Sequence, residues 1–464
     1  MINNKYIPVH HSNQFYIFDC LNKWLYPCSK EVYSFFLNAE DIDSVEQINE
    51  LSKSLDSEST WLADTFLSVE QKYDKKLYIY PEIKREDVIK SLSNVKHITL
   101  EITESCNLRC IYCCYGSLYK KIQKHRTGDK NSITDYLIKL LNLRKKYNIK
   151  SDLRISFYGG EPLCRFDIIK ECVKQAKTIL PDVQISFGMT TNGLLLNQYL
   201  DYLIEHNFSL FISLDGNFRN NAYRVKVTGE NSFHTVKRNI DLIYKTNRKY
   251  FDKYISFSTV LHNKSNCIDA IRFFSRWGKV PSFSFVSTSD IKKNNKLFKV
   301  ISNQYRYSEK ELSFLKQKYP DAYKQFFPKT YGNICAWWKN SLYVIDDYNE
   351  IKNNERFYYP GATCFLFATK VFVTVDGQLL VCEKISRKYI LGKITEKGFI
   401  IYNKKINQCY QNILNKYQRI CSKCYKCFSC SKCFFSDIEE IENKSCFCSK
   451  EQAIKEINNL VNNK

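Results

Sequence analysis

HITLEITESCNLRCIYCCYG, residues 97–116, decides how the rest of the chain is read. Its first seven residues alternate apolar and polar side chains, the period of a strand. The strand runs directly into a loop carrying Cys106, Cys110, Cys113 and Cys114. The first three give C-x3-C-x2-C. Three thiolates on one short loop suit a cubane iron–sulfur cluster, which normally takes four cysteines. The fourth iron is then open to an exogenous ligand, and an open metal position does chemistry where a closed one stores electrons. A zinc loop is the rival reading.

Working outward, further strand-like runs follow at 153–159, 184–192, 208–216, 254–262 and 282–289, with helical patterns between them near 132–147, 165–179, 196–206, 232–247 and 266–277. Six βα units in series predict an α/β fold with a parallel sheet, wound open or closed into a partial barrel. Chemistry in such folds gathers at the C-terminal ends of the strands. The notable motifs lie there: the cysteine loop, Gly159-Gly160-Glu161-Pro162, Thr191-Asn192-Gly193 and Ser213-Leu214-Asp215-Gly216.

The chain of 464 residues holds 20 cysteines against 14 glycines and 2 methionines, 44% hydrophobic residues and a formal charge of +22. That composition excludes general disorder. No apolar run approaches the length of a membrane span, and the N-terminal stretch lacks the apolar core of a secretory signal. Reduced thiols at this density point to metal or redox chemistry in the cytoplasm rather than to a disulfide framework. The positive charge is spread along the chain and rich in Lys, so no nucleic-acid partner is expected.

A second cysteine set occupies residues 361–450. Cys364 and Cys382 flank VFVTVDGQLLVC, a hairpin pattern with Gly377 in an Asp-Gly turn. Downstream lie Cys421, Cys424, Cys427, Cys430 and Cys433, then Cys446 and Cys448. Paired C-x2-C knuckles of this kind also bind zinc. At the other end, residues 1–95 show two short aromatic strands and a helix after Ser29. This is a small α+β, winged-helix-like module or a cap on the next domain. Residues 301–360 have no clean period and read as a helical linker, and 451–464 as a terminal helix.

The cysteine loop, with Tyr112 before its last cysteine, resembles the motif of the radical SAM enzymes. The resemblance implies a partial (β/α)6 barrel over residues 96–300. It makes Cys106, Cys110 and Cys113 ligands of a [4Fe-4S] cluster whose open iron is chelated by S-adenosylmethionine. One-electron reduction of that complex yields a 5′-deoxyadenosyl radical, which abstracts hydrogen from a substrate. Gly159, Gly160, Glu161 and Pro162 look like the family's GGEP motif, which holds the amino group of S-adenosylmethionine. Thr191, Asn192, Ser213 and Asp215 match segments near the ribose and the methionine carboxylate, and Arg224 matches an arginine that pairs with that carboxylate. Relatives carry His-Asp before this arginine, where this chain has Asn220-Asn221-Ala222-Tyr223.

The second set, Cys364, Cys382, Cys421, Cys424, Cys430, Cys433 and Cys446 or Cys448, looks like the SPASM extension of radical SAM enzymes. That extension implies two auxiliary clusters, with Cys335 a candidate ligand for the first. Three clusters would lower the positive charge by about 4–5 units. Barrel plus SPASM is typical of enzymes acting on peptides, and the N-terminal module is similar to the element that binds leader peptides. The function implied is maturation of a ribosomally made, Cys-rich precursor peptide by a thioether link from Cys to a carbon of an acceptor residue, of the sactipeptide or ranthipeptide type. The electron donor would be a flavodoxin or ferredoxin. A sulfatase-type formylglycine maturase and a C–C cross-linking or epimerising maturase share the machinery. A non-enzymatic iron–sulfur or zinc scaffold is the alternative outside enzymes.

Overall fold

The structure is a computed structural model. It describes residues 6–11, 13–19, 25–38, 82–116, 118, 126–287, 295–302, 309–320, 365–420, 424, 435, 449 and 451–455. Cys335, Cys364, Cys421, Cys430, Cys433, Cys446 and Cys448 lie outside the described residues. The chain divides into two compact units, one of residues 1–83, 327–363 and 404–464 and the other of 84–326 and 364–403.

In the first unit, β1 (Tyr6–His11), β2 (Gln14–Asp19) and β3 (Leu25–Cys28) form an antiparallel sheet in the order β1-β2-β3. The sequence pattern had predicted the second and third strands. β1 is additional, and it places Ile7 and Val9 in the core beside Ile17. Ser29 accepts the backbone N–H of Val32 at 3.3 Å and starts α1 (Lys30–Asn38), the cap expected of a serine there.

The second unit opens on α2 (Arg85–Ser93) and continues as alternating elements. These are β4 (His97–Thr103), α3 (Lys130–Lys146), β5 (Leu153–Gly159), α4 (Phe166–Ile179), β6 (Ile185–Thr191), α5 (Leu196–Glu205) and β7 (Ser209–Ser213). Then come α6 (Phe233–Thr246), α7 (Arg248–Tyr254), β8 (Ile255–Leu261), α8 (Cys267–Ser275) and β9 (Ser282–Phe285). Each of β4 to β9 pairs in parallel with the next, the partial-barrel order that six βα units predict.

Alternation along the strands separates two faces. Ile98, Leu100, Ile155, Phe157, Phe187, Leu210, Ile212 and Phe257 are buried against the helices, each worth roughly 1.5–3 kcal/mol of transfer free energy. The intervening positions, many of them Ser or Thr, face the barrel interior. Caps mark helix starts: Asp129 accepts Ser132 N–H at 2.9 Å and Asn266 accepts Asp269 N–H at 3.0 Å.

After α9 (Lys296–Ile301) and α10 (Glu309–Lys318), the Asp-Gly hairpin appears as β10 (Lys370–Val373) and β11 (Gln378–Leu380). Gly377 there has φ +79°, a conformation glycine adopts without strain. The pattern did not show where the hairpin goes. β10 pairs in parallel with β4, Lys370 opposite His97. β12 (Gly392–Thr395) and β13 (Gly398–Ile401) extend the sheet beyond β11. The result is a ten-stranded sheet, β13-β12-β11-β10-β4-β5-β6-β7-β8-β9. In the first unit, α11 (Asn403–Arg419) fastens residue 83 through Asn407, which accepts Ile83 N–H at 2.8 Å and donates to its carbonyl at 2.9 Å.

Candidate active site

The cysteine loop leaves β4 at a bulge. Register with β5 slips between Glu101 and Thr103, and such irregularities re-aim a chain at the end of a strand. Loop backbone is then tied on two sides. Arg109 and Ile111 donate to the carbonyls of Val225 and Tyr223 at 2.7 and 3.1 Å, while Gly160 and Glu161 donate to those of Thr103 and Ser105 at 2.7 and 3.0 Å. The second contact explains the two glycines. A Cβ on Gly159 would lie 1.9 Å from the Thr103 oxygen, and one on Gly160 2.2 Å from the Ser105 oxygen. The GGEP backbone therefore packs directly against the cysteine loop.

Cys106, Cys110 and Cys113 are free and half-buried. Burial pushes the Cys106 and Cys110 thiols up to about 12, and Cys106 also feels Cys110 and Cys113. Beside Cys110, Arg224 offsets part of that rise. Cys113 is raised by its contact with Cys114 and then by burial. Among the described residues, no three ligating side chains meet around one point as they stand. The donor set is thiol-only, and although burial disfavours bare thiolates, two N–H donors face one of its sulfurs. Leu108 N–H points at Cys106 Sγ at 3.3 Å, and Asn192 Nδ2 approaches the same sulfur at 3.5 Å. Hydrogen bonds to ligand sulfurs are a standard means of tuning such clusters. The same backbone arrangement recurs at Cys382, whose Sγ receives Lys384 N–H at 3.4 Å.

Glu161 is fully buried. It accepts from Asn192 N–H at 2.7 Å, Thr191 Oγ1 at 2.8 Å and Leu163 N–H at 3.1 Å. Burial raises its carboxyl to about 7 against the opposing pull of these donors. Pro162 follows as the first residue of a 3₁₀ turn, Pro162–Arg165. Asn192 also donates to Asn107 at 2.7 Å, so the ends of β5 and β6 both hold the cysteine loop.

Across the site, Asp215 follows β7 and pairs with Arg224 at 3.0 Å, both buried. Asp215 also accepts Val260 N–H at 2.9 Å and the Tyr112 hydroxyl. Burial alone would raise the Asp215 carboxyl; Arg224, His262, Tyr112 and the Val260 amide outweigh it and hold it low. Ser213 sits opposite Ser258 in the sheet, half-buried. The Arg224 guanidinium lies 5.4 Å from the centroid of the Tyr112 ring. Its Nε is buried without a hydrogen-bond partner, a donor left over that suits an incoming carboxylate.

His262 is the residue the sequence reading passed over. It ends the strand-like run 254–262, the position where barrel chemistry gathers. It is fully buried, stacks on Tyr112 at 5.6 Å and lies 3.8 Å from Asp215. Asn220 and Asn221, which stand in the segment where relatives carry His-Asp, are also buried. Asn221 accepts Asp215 N–H at 3.3 Å, and Asn220 exchanges bonds with the backbone of Asn266 at 2.9 and 3.2 Å.

Of the second cysteine set, Cys382 lies just after β11, half-buried, its thiol pushed up to about 12 by burial. Cys424 is buried in the first unit.

Residues 100–273 match the Radical SAM superfamily. The chain is 28% identical over 189 residues to the radical SAM cyclopropyl synthase TigE of Paramaledivibacter caminithermalis, covering 39% of this chain and 38% of that protein. The match therefore spans well under two thirds of that relative's length. A longer match is to the cysteine-type anaerobic sulfatase-maturating enzyme of Clostridium novyi, 22% identical over 330 residues, 69% of this chain and 83% of the relative. The solved structure of native anSMEcpe with bound AdoMet shares the fold at TM-score 0.52 and 18% identity, over 79% of this chain and 96% of that one. The same enzyme with AdoMet and the Cp18Cys peptide gives TM-score 0.50 at 17% identity, over 79% and 95%. No helix among the described residues is long and apolar enough to cross a membrane.

Proposed function

We propose that this chain is a radical SAM peptide maturase that joins a cysteine sulfur to a carbon of an acceptor residue in a precursor peptide. The observation that carries the reading is the pairing of β10 with β4. It puts the hairpin that leads to Cys382 on the same sheet as the loop of Cys106, Cys110 and Cys113. Two cysteine-bearing sites on one frame suit a reaction that needs a substrate hydrogen removed at one site and a thiolate or an electron handled at another. The long match to a sulfatase-maturating enzyme, which runs beyond residues 100–273, supports a peptide substrate.

In this reading Cys106, Cys110 and Cys113 hold a [4Fe-4S] cluster, which with S-adenosylmethionine supplies the hydrogen-abstracting power. Glu161, its carboxyl bound by Asn192 and Thr191, receives the amino group, while Gly159, Gly160 and Pro162 shape that cradle. Arg224 offers its buried Nε to the methionine carboxylate, and Asp215 fixes the guanidinium for it. Tyr112 holds Asp215 in turn. Thr191, Asn192 and Ser213 line the approach of the ribose. Cys382 and Cys424, with Cys335, Cys364, Cys421, Cys430, Cys433 and Cys446 or Cys448, hold two auxiliary clusters. The N-terminal sheet with α1 receives a leader segment, and a flavodoxin or ferredoxin supplies electrons.

Anaerobic reaction with a Cys-rich precursor tests this. The expected outcome is 5′-deoxyadenosine and a peptide lighter by two hydrogens. 5′-Deoxyadenosine with no change in the peptide overturns cross-linking. The sulfatase-maturase relative gives a second reading weight, oxidation of a Cys or Ser to formylglycine. An aldehyde in the product distinguishes it. Epimerisation leaves the mass unchanged, and a C–C link leaves the cysteine thiols free to alkylate.

A further inference from the structure

The interior of the barrel is hollow where such barrels are normally filled. Inward positions of closed (β/α) barrels carry bulky branched side chains packed in layers. Here Thr99, Ser156, Thr190, Ser209 and Ser256 take those positions and line a cavity of about 260 Å³. Short hydroxyls leave space; those of Ser156 and Thr99 bond the His97 ring at 2.7 and 3.3 Å, and that of Ser256 donates to the Leu210 carbonyl at 3.3 Å.

Among the described residues one cation of this lining, the solvent-exposed Arg154, has no carboxylate partner. Arg154 of β5 lies across β6 at Gly188, where a Cβ would come within 2.9 Å of its Nη2. Among the described lining residues the one carboxylate is Glu383, and Lys370 binds it at 2.5 Å. The His97 imidazole stays neutral, lowered to about 4 by burial and then by Lys370 and Arg154. The described lining therefore carries net positive charge. Tyr158 and Thr190 also line the cavity, and they directly precede Gly159 and Thr191. The cavity thus reaches the segments assigned above to S-adenosylmethionine.

We propose that this cavity receives a carboxylate of the peptide substrate, with Arg154 as its counter-ion and the Thr190 and Ser209 hydroxyls as further donors. This rests on the peptide-maturase reading and adds the chemistry the substrate must present. A guanidinium fork meets a carboxylate with two parallel hydrogen bonds, which gives direction as well as charge. The carboxylate belongs to an Asp or Glu side chain or to the peptide's C-terminus.

Three acetylated pentapeptides separate the sources when titrated calorimetrically into the full-length, cluster-loaded enzyme. They are Ala-Cys-Ala-Asp-Ala amide, its Asn counterpart, and the Asn peptide with a free C-terminal acid. One of the two acids is expected to bind at least tenfold more tightly than the neutral amide, and which one names the source. Arg154→Gln abolishes the preference and Arg154→Lys retains part of it, with iron content confirming that each variant has folded. Equal affinity for all three peptides, no binding of any, or a preference that survives Arg154→Gln overturns the proposal. Arg154-dependent binding of the acidic peptide and of free glutarate, with no precursor ever changed in mass or stereochemistry, upholds the carboxylate site while defeating the peptide-maturase reading.

Discussion

Arg387 holds both oxygens of Glu101 with one nitrogen, Nη2, at 2.6 and 2.8 Å, and reaches Glu104 at 3.3 Å. Glu101 is fully buried and also takes the Tyr115 hydroxyl at 2.6 Å and Val375 N–H at 3.2 Å. Glu104 is bound again by Arg126 at 2.7 Å, and Arg126 reaches Asp376 at 2.9 Å. This network fastens the Asp-Gly turn and the segment after Cys382 to the end of β4, immediately before Cys106. Removing one member leaves a buried charge without its partner, a change that costs roughly 3–5 kcal/mol. Arg387→Ala is expected to lower unfolding free energy by about that amount in urea titrations. The double variant Arg387→Met, Glu101→Gln should recover much of the loss, because neither side then carries a bare charge.

Gly160→Ala should disable the cluster site while the barrel still folds. Its methyl group meets the Ser105 carbonyl, backbone that has no room to yield. Iron content and 5′-deoxyadenosine formation are expected to fall at least tenfold, with the far-ultraviolet circular dichroism preserved. Gly229→Ala is the comparison. Its φ is +88° with nothing within 4 Å of an added Cβ, so it should cost only about 1–2 kcal/mol of backbone strain and leave iron loading intact.

His97 gives stability a defined pH dependence. Folded, it titrates at about 4, against an ordinary 6.5. Between these values the unfolded chain takes up a proton that the folded chain refuses. The contribution of the neutral ring is therefore intact above about pH 6.5 and is lost as pH falls toward 4, up to about 3 kcal/mol. Urea titrations across pH 4–7 should show this slope, and His97→Asn should flatten it.

Cys382→Ala separates the two cysteine-bearing sites. Iron per chain should fall, whereas S-adenosylmethionine cleavage without peptide should persist, because Cys106, Cys110 and Cys113 are untouched. The triple Ala variant of those three is expected to lose cleavage outright. Iron quantification beside chromatography of 5′-deoxyadenosine reads both.

The barrel strands were legible because each is a short run bounded by turn residues, and their order follows from right-handed βα connections. The cysteine loop was legible because its cysteines are adjacent in sequence. What escaped was pairing across long separations. KVFV, residues 370–373, reads as half of a hairpin, and nothing in four residues says that its other edge meets β4. Arg387, Glu101 and Glu104 carry no motif; only their burial together reveals a network. For Arg224, spacing could suggest a carboxylate partner but could not show that Asp215 already occupies Nη2. His262 could have been found, since a histidine ending a parallel strand stands where barrel chemistry concentrates.

The pairing of β10 with β4 has a consequence for biosynthesis. On a ribosome, β4 and the loop of Cys106, Cys110 and Cys113 emerge early, but one flank of β4 stays bare until residues 370–401 have been made. Contacts between such distant segments form late, after their loop-closure entropy has been met. Until then Glu101 has no Arg387, and the base of the cysteine loop has nothing on that side. Nascent chains truncated before residue 370 are therefore expected to emerge iron-poor.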